Sequence, residues 1–523
     1  MSRKIVNSSK TISPQHKKSL QKIVSIYVFM MLIIFPLFFT DFYYNILKSK
    51  YFFFCTAAIA CAVILLVYSI SKGIRLFPRH SFMKCIWSNM TVPDKTLLIF
   101  WLSLAISTVL SDFSSQAFWG NEGRLTGLFY YTIVLVIYFI VTRLYNFNEK
   151  ILNLALVIGG AACLFGITDY FKMDLLHFKA EIGARQKALY VSTIGNINTY
   201  TVYVGILLAL AVVLFATAKT WKNVVFYYIC SIIFMFALIM GQSDNAYLSV
   251  AAIYGFTPLY LFKDHRGIRR YAISAASFFT VIQCIDSINQ NFADHVYGIT
   301  GVFKVITNLS FLLAAVVFLW GVAIILSIIC KKDMPANKLW RRVWLGILII
   351  GLLALVFALF DANYAGNAER YGMLKNYLKF DDSWGTNRGF VWRISMELFS
   401  GFPLLKKIFG YGPETFGILT NMYYYNEMVL KYQQIYDSAH NEYLQFLVTI
   451  GIAGLIAYLS FMFSSIYRLV KRGFENPHVM AVVFAIAAYM TQAIVNINVP
   501  VVAPFLLTLL MTALAECRES GVK

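Results

Sequence analysis

The 523 residues would suffice for about three soluble domains, but 59% of them are hydrophobic, only 13% are charged, and the mean hydropathy is +0.67. Soluble domains carry about 25% charged residues, so a water-soluble fold is excluded, as are disordered, collagen-like and disulfide-scaffold classes. The net charge of +20 is parcelled into short segments between apolar runs, which points to a lipid bilayer and not to nucleic acid as the partner. The expected fold class is all-α, a polytopic integral membrane helical protein.

In chain order, residues 1–23 are basic, with Arg3, Lys4, Lys10, Lys17, Lys18 and Lys22. They carry no cleavage signal and lead into an apolar run read as a retained anchor. A span needs about 20 apolar residues. Fourteen stretches qualify, roughly 24–40, 51–69, 96–111, 126–142, 151–168, 197–217, 222–240, 245–262, 271–285, 304–330, 343–360, 442–466, 478–496 and 499–516. The third and ninth are the shortest. Placing the basic N-terminus in the cytoplasm and alternating sides puts most of the 45 Lys and Arg residues in cytoplasmic segments, as the positive-inside rule requires. Both termini, 1–23 and 517–523, are then cytoplasmic. The helices of 24–360 and 442–516 flank one large extracytoplasmic loop, 361–441. Within that loop Phe390, Ile394 and Leu398 recur at i, i+4 and i+8, which predicts an amphipathic helix lying on the membrane surface. A long loop with its own structure is usually functional. The eight cysteines show no C-x-x-C and read as small buried hydrophobes.

The spans are nearly free of ionisable groups, whereas transporters and proton pumps usually place them at mid-membrane. The polar residues gather at outer ends instead: Asn121, Glu122 and Arg124 among Gly120, Gly123 and Gly127; Asn196 and Asn198; Gln242, Ser243, Asp244 and Asn245; and, in the long loop, Arg388, Arg393, Glu414, Asp437 and His440. All fall on one side of the membrane. Arg388 and Arg393 differ by about 140° around a helix, so they do not face one ligand; Arg388 is the candidate ligand and Arg393 is structural. Asp437 or Ser438 can cap the next helix, which puts His440 in its first turn. The positive end of a helix disfavours an imidazolium, leaving a neutral ring able to take a proton, and its free N–H groups favour a phosphate. Asp437 is also a candidate for fixing the ring tautomer. The tyrosines at 423, 424, 425, 432 and 436 suit either sugar stacking or an interfacial aromatic belt.

The segment DSAHNEYLQFLVTIGIAGL, with His440, Asn441 and Gly451, resembles the signature of the O-antigen ligase and Wzy-type polymerase superfamily. NRGFVWRISMELFSGFPLLKKIFGYGPETF resembles its block in which Arg388 and Trp392 precede Pro403 and Gly410-x-Gly412, and GNEGRLTGL and GNINTYTVYVGILL resemble its outer loops. One departure concerns the position after the seventh span. Many members have Ser-Arg and a small residue there, and this chain has Ser243-Asp244-Asn245; Arg185 or Lys187 is the candidate to supply the missing cation. Nothing near these residues resembles a D-x-D metal site, so no divalent metal and no cofactor is expected. The resemblance implies an enzyme of the cytoplasmic membrane with an extracytoplasmic site. It would transfer a saccharide from an undecaprenyl-diphosphate carrier to a glycan, lipid or protein hydroxyl. Ligation, repeat-unit polymerisation and protein glycosylation all remain open. His440 would be the base, and Arg124 and Arg388 the diphosphate ligands. Asn441, Asn196, Asn198, Asp244, Asn245, Trp392, Gly412 and Asp437 would line the substrate site. The alternative from another class is a polysaccharide or lipid-linked oligosaccharide flippase, which inverted repeats or broken helices with polar interiors would favour.

Overall fold

The computed structural model describes residues 13–74, 90–183, 186–330 and 333–519. Residues 75–89, Cys85 among them, and Arg185 lie outside the described residues. Apart from one two-stranded pair, Tyr190–Val191 against Gly195–Asn196, the regular structure among the described residues is helical. Eleven helices among the described residues are long and apolar enough to cross a membrane, from Pro14–Leu37 to Pro477–Val495. The other expected spans are shorter helices: Leu128–Leu144, the pair Ala246–Phe256 and Pro258–Leu261, and Ala503–Glu519. The chain is thus an all-α polytopic membrane protein.

Several boundaries differ from the sequence reading. The first helix starts at Pro14, capped by Ser13, so part of the basic N-terminal segment is helical. It loses regularity at Met30–Ile34 and ends in a turn through Pro36, a residue with no N–H to donate. The carbonyls of Phe35 and Pro36 accept from the fully buried Lys50 ammonium at 2.8 and 3.0 Å, an ionisable group inside the helix Ile46–Ser71 that the apolar count passed over. The expected span 271–285 is a 27-residue helix, His265–Asn291; its polar ends hid its length from a hydropathy reading. The expected span 304–330 divides into Gly301–Thr307 and Leu312–Ile329.

The helix Ile197–Thr217 is the centre of the bundle, 94% buried, with Trp221–Met240 and Pro477–Gln492 against it. Lys338–Asn363 is peripheral: none of its apolar window is buried, and only Asp361 and Ala362 at its end are. Residues 361–441 fold as short helices, chiefly Trp384–Gly401, Leu404–Phe409 and Phe416–Glu427. The amphipathic helix exists, but its stripe does not lie on a membrane surface. Phe390, Ile394 and Leu398 are buried against Phe416, Leu419, Met428 and Val448 in a separate apolar core. Arg393 is tied to Asp382, Glu397 and Glu427, a structural role.

Two glycines fasten this layer to the bundle. Gly451 kinks the helix Glu442–Gly473 at φ +69, and a Cβ there would stand 2.3 Å from the Ile408 carbonyl oxygen. Gly410, at φ +72, would place one 2.2 Å from that of Thr449. Only glycine permits both the left-handed backbone and the approach. The long-loop helix Leu404–Phe409 therefore seats directly on the helix that follows His440.

Candidate active site

The residues before Glu442 cross the site in extended and left-handed conformations. Asn441, not Asp437 or Ser438, caps the helix, its side chain accepting from the N–H groups of Tyr443 and Leu444 at 3.0 and 3.1 Å. His440 thus sits one residue before the cap, not in the first turn, at φ +46. Its neighbour Ala439 is held at both backbone groups: the N–H donates to Gln445 Oε1 at 2.9 Å, and the carbonyl accepts from the Trp392 indole at 3.1 Å. The imidazole makes no hydrogen bond among the described residues. Burial, then the charges of Arg388 and Arg124, lower its pKa to about 4 against the opposing pull of Asp437. The ring is therefore neutral through the physiological range, by enclosure and two guanidinium groups more than by the helix end.

Arg124 is occupied. Its Nε donates to Glu414 at 2.9 Å, one terminal nitrogen to the Asp437 carboxylate at 3.2 Å, and the other to the Asp437 carbonyl. Glu414 also accepts from the Thr126 hydroxyl at 2.6 Å. Burial opposes the charge on Arg124, but the two carboxylates outweigh it and hold the guanidinium above its usual pKa. The expectation that Arg124 grips a diphosphate gains no support from this geometry, because all three of its nitrogens already serve the chain. Asp437, expected to orient the His440 ring, instead faces Arg124.

Arg388 is placed otherwise. The helix Trp384–Gly401 begins with Gly385, Thr386 and Asn387 in left-handed conformations, and Arg388 leaves that turn into a cavity of about 520 Å³. One terminal nitrogen donates to the Gly385 carbonyl at 3.1 Å, and Nε is buried without a partner among the described residues. Asp244 and Asn245 line the same cavity, with Tyr247, Tyr377, Trp384, Lys375 and Lys379. Enclosure lowers the Arg388 pKa, with Asp244 and Tyr247 acting against it. Non-glycine residues with positive φ, a costly conformation, recur here: Leu125, Gln242, Thr386, Asn387, Glu414 and His440.

The other expected residues divide. Asn198 Oδ1 accepts from Ser243 at 2.7 Å and Asn245 at 3.3 Å, which fixes the loop that carries Asp244. Asn196 caps the helix Ile197–Thr217. Gly412 is structural: its N–H donates to the Thr449 carbonyl at 2.8 Å, and a Cβ would meet Ala117 and Ser111 at 2.7 Å. Trp392 supports Ala439 and packs at a tilt against Trp384. Lys187 does not line the cavity. Sequence reasoning passed over Lys375, Lys379, Gln445 and Glu414 as an ion-pair partner, since nothing in a loop of mixed charges marks them. A larger apolar cleft, about 820 Å³ between Pro14–Leu37 and Ile46–Ser71, contains none of these residues.

Residues 302–459 match the model of a family described as O-Antigen ligase. That stretch holds Lys375, Lys379, Arg388, Trp392, Asp437, His440 and Asn441, and leaves Arg124, Asn198 and Asp244 outside it. The match bears out the resemblance read from the sequence: residues 302–459 of this multi-pass membrane protein are similar to the O-antigen ligase family. No curated protein matches the chain.

Proposed function

We propose that the chain transfers a saccharide from an undecaprenyl-diphosphate carrier to an acceptor hydroxyl at the extracytoplasmic face of the cytoplasmic membrane, without a metal or cofactor. The observation that carries this reading is an enclosed His440 ring with no hydrogen-bond partner among the described residues, placed where the charge of the cavity arginine, Arg388, acts on it. The acceptor oxygen attacks the anomeric carbon of the donor and gives its proton to His440. The bond from that carbon to the phosphate oxygen breaks, and the diphosphate departs with the electron pair, stabilised by Arg388. Asn441, Asn198 and Asn245 hold the surrounding backbone, Trp392 holds Ala439, and Asp244 offers a carboxylate to sugar hydroxyls. Whether the acceptor is a glycan, lipid or protein is decided by incubation with a lipid-linked oligosaccharide, scoring chain lengthening against transfer to a distinct acceptor.

A guanidinium offers several donors in a plane where an ammonium is a point charge. Arg388→Lys should therefore cut transfer about tenfold or more, the scale of a lost charge-assisted bond. Arg393→Lys, whose partners all lie within the loop layer, should change it much less. Equal, negligible effects at both positions would reduce Arg388 to a helix residue.

Sidedness has its own test. In a cysteine-free background, cysteines at Tyr364 and Leu430, which are 83% and 82% exposed, should react with an impermeant maleimide in intact cells. One at Met334, 51% exposed, should not. Labelling at Met334 alone would put the site in the cytoplasm.

A further inference from the structure

We infer that Lys375 and Lys379, together with Arg388, form the subsite that takes the carrier's diphosphate; this rests on the glycan-transfer reading above. A departing diphosphate needs cations facing it, and the obvious ones are committed elsewhere. Arg124 is spent on Glu414 and Asp437, Arg393 on Asp382, Glu397 and Glu427, and position 244 is an acid. Among the described residues lining the cavity, the cations are Arg388, Lys375 and Lys379.

Their placement fits an anion. Lys375 opens the single turn Lys375–Leu378 and Lys379 follows it, so the two stand at i and i+4 on one side. Their present partners are exposed. Lys375 pairs with Glu369, whose side chain is 81% accessible, and Lys379 is 3.9 Å from Asp381, with both side chains about half accessible. Exposed pairs contribute little, so a diphosphate displaces these carboxylates readily. Arg388 adds a buried Nε without an acceptor among the described residues. Asp244 accepts from the Tyr377 hydroxyl at 3.4 Å and repels phosphate, which directs the diphosphate to the lysines and leaves the sugar beside Asp244, Tyr247 and Trp384. About 520 Å³ lies within the usual range for a ligand pocket, about 300–1,000 Å³.

The test uses the full chain in detergent with undecaprenyl diphosphate as the probe and undecaprenol as the uncharged comparator. Combined Lys375→Gln and Lys379→Gln should raise the Kd for the diphosphate about tenfold or more. It should also flatten the salt dependence, leave undecaprenol binding unchanged, and be largely rescued by Lys→Arg at both positions. Lys431→Gln, whose partner is Glu427, should bind like the parent protein. If the double variant binds the diphosphate as tightly as the parent while Arg388→Ala weakens it, the lysines are excluded and the transfer reading stands. If the parent protein binds the diphosphate no better than undecaprenol, both readings fall.

Discussion

His440→Ala should remove most of the transfer rate while membrane insertion and carrier binding persist. General-base catalysis contributes about 10²–10⁴-fold, so a residual rate remains. The pH profile carries the finer information. With a pKa lowered to about 4, the base is already free at neutral pH. The acid limb of kcat/KM, which reports the free enzyme, should therefore appear near pH 4 and not near the ordinary imidazole value of about 6.5. Carrier binding changes one cause of that shift: an anion beside Arg388 offsets a charge that disfavours the imidazolium. The acid limb of kcat, which reports the complex, should thus lie at higher pH than that of kcat/KM. His440→Gln keeps a hydrogen-bonding side chain of similar size but no basicity. Near-normal turnover in that variant, with an unchanged profile, would remove His440 from the chemistry and leave it an orienting role.

The bundle was legible because hydropathy is local: each of the fourteen apolar runs contains helix, and the errors sit where proline or polar ends blur a run. The family block was legible for the same reason, since His440, Asn441 and Gly451 are near neighbours in sequence. What could not be read was long-range. The amphipathic period of Phe390, Ile394 and Leu398 identifies an apolar face but not what covers it, and a membrane surface was the wrong cover. The cap was misassigned because Asp437 looks free in sequence. In the fold its carboxylate and carbonyl are claimed by Arg124, 313 positions away, and the left-handed His440 pushes the helix start to Asn441. Asp244 looked like a loss of charge at the site; in space it shares a cavity with Lys375 and Lys379, which come from a different part of the chain.

Arg124 has the second large expected effect, and its sense differs from a ligand's. Arg124 and Glu414 are 4% and 7% exposed. Removing one partner of such a pair leaves a buried charge and costs about 3–5 kcal/mol. Arg124→Ala should therefore lower the thermal midpoint in detergent as well as abolish transfer. Arg124→Met with Glu414→Gln removes both charges, keeps an acceptor for the Thr126 hydroxyl, and leaves Asp437 with its accessible side chain in contact with water. That double variant should recover much of the stability, because a neutral replacement of a buried pair is often tolerated. Its transfer should stay low, because the Asp437 carbonyl, three residues before His440, has lost the guanidinium that fixes it. Stability and turnover then separate, which is the mark of a group that positions the base. Should Arg124→Ala instead keep its thermal midpoint and lose only carrier binding, Arg124 would be a direct diphosphate ligand, and the clamp on Glu414 and Asp437 would open when the carrier binds.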